Sequence, residues 1–199
     1  MNGRRGRGPA RGQATRPESA PEDPAAYARG LVLNALSRSA RTRGQLADLL
    51  TRKGVEPELA EEVLERYTEV GLVDDAAYAE AFTRSRHEHR GMGSRAIAFE
   101  LRRRSVPDQL VQDAVSVLDS ETEQATASRL AVQRQARLNG LPREVQARRL
   151  AGFLARKGYG GEVVGRAVRE ALAAAREAQE QQDAAEEGFD PEDLDFSED

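Results

Sequence analysis

The chain contains no cysteine, which excludes disulfides and every metal site built on thiolate ligands, and suits a reducing compartment. Histidine is scarce. His87 and His89 are the only two, and on a helix they point about 200° apart, so they cannot share a face as metal ligands and are expected to be solvated. No apolar run approaches the roughly 20 residues that span a bilayer, and the arginine-rich start lacks the apolar segment of a signal peptide. A cytoplasmic protein with no membrane contact is the expectation. Aromatic residues are only 5% and hydrophobic ones 39% of 199 residues, too little for one large core. Catalytic patterns are missing too. The sequence has no Gly-Lys-Ser/Thr phosphate loop, no Gly-x-Ser-x-Gly elbow and no histidine paired with a nucleophile. Adjacent carboxylates such as Glu61 and Glu62 fall on an exposed face, where nothing desolvates them toward acid–base work. These absences point away from an enzyme, and toward a chain with no cofactor and no metal.

What is present is charge, unevenly placed. The net charge of -4 divides into three parts. Residues 1–24 carry five arginines and three acids, giving +2, whereas residues 177–199 hold eleven acids and no Lys or Arg, giving -11. The body between them, residues 25–176, therefore carries +5. Both ends lack apolar periodicity and read as disordered, a basic tail over 1–24 and an acidic tail over 176–199. The acidic tail fits a solubilising role, or a mimic of nucleic-acid charge that screens the basic body.

Within the body, apolar residues recur at helical spacing and no stretch alternates like a strand. Thr42 and Gln45 form a capping box, Gly54 closes the helix it starts, and Pro57 opens the next. Gly71 followed by Leu72 resembles a helix end closed by an apolar contact. Asp74 is an N-cap candidate, Gly91 and Gly93 break the helix it begins, and Pro107 and Pro142 start others. Ser120 and Glu123 read as a second capping box. Three segments align without a gap: LLTRKGVEPELAEEVL from Leu49, ELRRRSVPDQLVQDAV from Glu100 and FLARKGYGGEVVGRAV from Phe153. Leu50, Leu101 and Leu154 coincide, as do Gly54, Ser105 and Gly158, with a period of 51 and then 53 residues. The expected fold is all-α: three tandem three-helix repeats over 25–73, 74–118 and 119–175, packed in series into an elongated, curved body, with no further domain.

Each middle helix ends in cations, at Arg52 and Lys53, at Arg102, Arg103 and Arg104, and at Arg156 and Lys157. Cations there complement the helix C-terminal dipole, which accounts for position and repetition together. That account extends less readily to Arg84, Arg86, Arg90 and Arg95 in the second unit, or to Arg143, Arg148 and Arg149 in the third. A cationic stripe facing a polyanion is the alternative, and spacing alone leaves the two level. So few aromatics accompany these cations that stacking on unpaired bases is poorly supported.

The second unit, GLVDDAAYAEAFTRSR followed by RGMGSRAIAFELRRRSV, closely resembles the signature of the RecX family. Leu72, Asp74, Asp75, Tyr78, Ala79 and Arg86 match its first part; Gly91 or Gly93, Ile97, Glu100, Leu101 and Arg104 match its second. Ser105 stands where the family usually has glycine, and Met92 and Ser94 occupy a segment that often holds Gly-Pro. The resemblance extends over residues 25–175 and leaves out both tails. It implies a regulator of DNA repair, homologous recombination and the SOS response. Such a protein lies in the groove of the RecA–DNA filament and inhibits or remodels RecA, with weak direct DNA contact at most, and acts as a monomer. Asp74 and Asp75 are then expected to be helix caps. The competing classes are a helical-repeat protein that grips duplex DNA directly and a plain helical scaffold.

Overall fold

The computed structural model describes residues 23–187; the basic and acidic extremities read above as tails lie, apart from 23–24 and 176–187, outside the described residues. In the first repeat, α1 (Pro24–Arg38) begins where Asp23 accepts the Ala26 N–H at 2.8 Å and Pro24 takes the first helical position. The α2 helix (Arg43–Arg52) carries the expected capping box, with Thr42 Oγ1 accepting from Gln45 at 3.1 Å and Gln45 accepting from Thr42 at 3.3 Å. Pro57 is the first residue of α3 (Pro57–Glu69), which ends at Gly71 with φ +72°. There Gly71 and Leu72 donate to the carbonyls of Thr68 and Tyr67, so the last turn is satisfied. The apolar residue that this turn drives inward is Val73, while Leu72 remains half exposed, contrary to the sequence reading.

The second repeat comprises α4 (Asp75–Arg90), α5 (Ser94–Arg102) and α6 (Asp108–Ser116). Asp74 caps α4 through the Ala77 N–H at 2.8 Å, and Gly91 ends it in the left-handed region. Pro107 is the residue before α6, one position earlier than expected. The third repeat comprises α7 (Ser120–Gln135), α8 (Arg143–Lys157) and α9 (Gly161–Glu187). Here the cap is Asp119, which accepts from Thr122 at 2.7 Å. The Ser120–Glu123 capping box therefore does not form; Asp119 outcompetes Ser120 because a carboxylate accepts more strongly at the positive end of a helix. Nor does helix stop near Ala175. The segment after it is rich in Ala, Glu and Gln, all strong helix formers, and Arg176 pairs with Glu180 at 2.7 Å, so α9 runs on to Glu187.

Each repeat has its own core. Val32, Leu46, Leu50 and Leu64 fill the first, Ile97, Leu101 and Val111 the second, and Leu150, Leu154, Ala167 and Ala171 the third. Burying one such leucine is worth about 2 kcal/mol, so each small core needs its neighbours to settle the fold. The chain is thus three tandem three-helix repeats, all α among the described residues, arranged in an elongated series.

Candidate functional site

The repeats are joined by one arrangement used twice. At the first joint Thr42 Oγ1 donates to the carbonyl of Arg104 at 2.5 Å, and at the second the Gly93 N–H donates to the carbonyl of Lys157 at 2.8 Å. Thr42 and Gly93 are equivalent positions, and so are Arg104 and Lys157. The start of each middle helix thereby meets the end of the next repeat's middle helix, so α2, α5 and α8 follow one another with opposite dipole ends in contact. A carboxylate from the following repeat completes each joint. Asp75 Oδ1 accepts the Arg43 N–H at 2.7 Å, and Glu123 Oε1 accepts the equivalent Ser94 N–H at 2.6 Å. Asp75 therefore caps α2 of the preceding repeat and not its own helix. Burial pushes its carboxyl above the usual range, and the hydrogen bond and charge of Arg43 only partly oppose this.

The second joint is the more buried. Tyr159 Oη donates to the Gly91 carbonyl at 3.0 Å, and Lys157 Nζ donates to the carbonyl of Arg90. Burial and the Glu123 carboxylate push the Tyr159 phenol up to about 12. His87 is 7% exposed, not solvated as its sequence context suggested. Its Nδ1 faces the Met92 carbonyl at 3.0 Å, and since a carbonyl only accepts, that nitrogen donates; Nε2 meets Thr126 Oγ1 at 3.1 Å. Among the described residues no cluster of acids and histidines could hold a metal ion.

The cations singled out in the sequence fall into two groups. Arg86 is ion-paired to Glu100 at 3.2 Å and lies 4.4 Å from the Phe82 ring centroid. Arg104 covers the same ring at 4.7 Å and donates to Tyr78 Oη at 3.1 Å. With Lys157 held in the second joint, these three side chains serve the fold first. Arg102 is paired with Asp108 at 2.7 Å. The rest face solvent: Arg103 stands 5.9 Å from the exposed Phe99 ring, and Arg52, Lys53, Arg148, Arg149 and Arg156 are exposed without an ion pair among the described residues. Of the family-signature positions, Ile97 and Leu101 are fully buried and Tyr78 is half buried against them. Sequence reasoning missed the partners Phe82, Glu100, Glu123 and Thr126. Glu100 was within reach, because it matches the second part of the family signature as Arg86 matches the first.

Comparisons with known proteins agree across the three repeats. Family models described as the first, second and third three-helix domains of RecX match residues 28–66, 74–115 and 121–168. The chain is 49% identical over 156 residues to the regulatory protein RecX of Thermobifida fusca, covering 78% of this chain and 84% of that one. With the regulatory protein RecX of Streptomyces lividans the identity is 45% over 169 residues, covering 85% and 89%. The crystal structure of RecX from Lactobacillus salivarius superposes with a TM-score of 0.70 at 20% identity, over 74% of this chain and 96% of that one, a likeness of fold alone.

Proposed function

The chain belongs to the RecX family, and from that premise we propose that it is a non-catalytic regulator that lies in the groove of the RecA–DNA filament and restrains RecA. The activities restrained are recombination, ATP hydrolysis and coprotease function. The observation that supports this most is the distribution of unpaired cations: Arg52 and Lys53, then Arg103, then Arg148, Arg149 and Arg156, presented in order by three repeats in series. A filament groove is a long surface lined by phosphate, and a linear body bearing spaced charges matches it better than a single patch does. No helix among the described residues is long and apolar enough to cross a membrane, which is compatible with work in the cytoplasm beside DNA.

The test is RecA's DNA-dependent ATPase and strand exchange with and without this chain. The parent should suppress both. Replacing Arg103, Arg148 and Arg149 with glutamine keeps good helix formers and leaves the Phe82 cluster intact, and should raise the concentration needed by about tenfold, as a few charge contacts would. RecA that is unaffected by the parent chain, or tight binding to naked DNA that RecA does not improve, would overturn the proposal.

A further inference from the structure

One cleft in the first repeat collects cations that the fold does not use. It lies between α1 and α2, encloses about 380 Å³, and is bordered by Arg38, Arg41, Arg52 and Lys53 around Asn34. Its floor is Leu31, Ala35 and Leu49, and no carboxylate lines it. All four cations are exposed, and none forms an ion pair among the described residues.

The second repeat offers an internal control, because positions 51 residues on occupy the same place in the module. Leu31, Ala35, Leu49 and Lys53 become Phe82, Arg86, Glu100 and Arg104. There the place is closed: Glu100 neutralises Arg86, and Phe82 is covered by both arginines. In the third repeat the corresponding Lys157 is bound to the Arg90 carbonyl and lies against Phe153. Of these three equivalent positions, Lys53, Arg104 and Lys157, Lys53 alone has neither counter-ion nor ring among the described residues.

Helix-end electrostatics explain part of this cluster. Arg38 and Arg52 stand in the last turns of α1 and α2 and Lys53 follows, where a cation is favoured. Arg41 does not fit that explanation. It directly precedes Thr42, the N-cap of α2, at the positive end of a helix, where a cation is disfavoured. Four like charges around one recess repel one another unless an anion joins them. The absence of aromatic lining argues against a stacked base, and the fork geometry of three arginines suits phosphate oxygens.

We propose that this cleft binds the phosphodiester backbone of a nucleic-acid strand, gripping it through Arg38, Arg41, Arg52 and Lys53. The proposal takes its setting from the filament reading, so its test omits RecA and the two can fail separately. The full chain is titrated into fluorescein-labelled oligonucleotides, one single-stranded and one duplex, and followed by anisotropy across a salt series. The Arg38→Gln/Arg41→Gln variant is compared with Arg137→Gln/Arg169→Gln, which removes the same charge from exposed sites of the third repeat. The cleft variant should bind about tenfold more weakly at low salt, with the slope of log K against log salt reduced by roughly 1 to 2, while the control changes less than about twofold. A Leu49→Glu variant, which supplies the carboxylate that the second repeat has at Glu100, should reproduce the loss; thermal melts check that each variant folds. The relative losses in the two arms tell which strand form the cleft prefers. Equal losses in cleft and control variants, an unchanged slope, or displacement of the oligonucleotide by polyglutamate at lower charge concentration would each overturn the assignment. If DNA binding behaves as expected while RecA ignores the parent chain, the cleft stands and the filament reading falls.

Discussion

Ser105 holds φ +59° where the equivalent positions are Gly54 and Gly158, at +74° and +92°. A side chain in the left-handed region costs about 1 kcal/mol. Its Cβ is accommodated because Gly44 of the preceding repeat has none: a Cβ built on Gly44 would overlap that of Ser105. Ser105→Gly should therefore raise stability by roughly 0.5 to 1 kcal/mol, and Gly44→Ala should lower it by about 1 to 3 kcal/mol. Combining the two should recover part of the loss, a coupling that a double-mutant cycle of chemical denaturation measures. Asp75 supplies a second check. Its folded pKa is raised, chiefly by burial, so its contribution is fully present below the unfolded value and is lost as pH rises through the folded one. Asp75→Asn still accepts from Arg43 and should gain stability over the parent as pH rises past the ordinary aspartate value of 3.8, whereas Asp75→Ala should lose about 1 kcal/mol at lower pH, a deficit that narrows as pH rises. Additive behaviour at Gly44 and Ser105, or a pH-independent difference for the asparagine variant, would refute these assignments.

The helices themselves were legible in the sequence because their signals are local. Thr42 with Gln45, Pro57 and Gly71 speak through spacings of a few residues, and the aligned Leu50, Leu101 and Leu154 add the repeat period. What was hidden is the work done between elements. Asp75 and Glu123 cap helices of the preceding repeat, and His87 bridges to Thr126; such pairs are separated by 29 to 39 residues and leave no periodic trace. The cations suffered the same ambiguity, since Arg86 and Arg52 look alike until Glu100 and Phe82 stand beside one of them. At this scale the second joint is the sensitive place. A Cβ on Gly93 would come within 2.8 Å of the Gly158 backbone, where no flexible side chain can yield. Gly93→Ala should therefore part α5 from α8 and destabilise the protein by about 2 kcal/mol, with hydrogen exchange accelerating first at Ser94 and Tyr159. Tyr159→Phe should act more mildly. The parent's stability from this phenol is lost as pH rises from about 10 through about 12, and the phenylalanine variant should lack that part of the alkaline decline. Unchanged exchange in Gly93→Ala would mean that the backbone contact does not hold the repeats together.

Across the molecule the decisive quantity is the separation of charge, a body of +5 followed by eleven acids. Residues 188–199 hold six of those acids, and any negative segment tethered to the body competes with an external polyanion for its cations. Deleting residues 188–199 should strengthen oligonucleotide binding at low salt by several-fold and leave it unchanged above about 0.3 M, where screening removes the competition. Equal affinity at every ionic strength would reduce the acidic end to a solubiliser.

The two joints carry a further consequence, which is one of counting. Three units in a row share two couplings, so one middle-helix carboxyl-terminal end is always left over, opposite an amino-terminal one at the other extremity. Here it is the end of α2: the carbonyls of Arg104 and Lys157 are taken by the preceding unit, and that of Lys53 meets no such donor among the described residues. A longer array would gain length and couplings together and still present a single unclaimed carboxyl-terminal end, giving the molecule a direction. Nucleic-acid strands and recombinase filaments are directional as well. Of two opposite ways of lying along one, only one places the leftover end ahead.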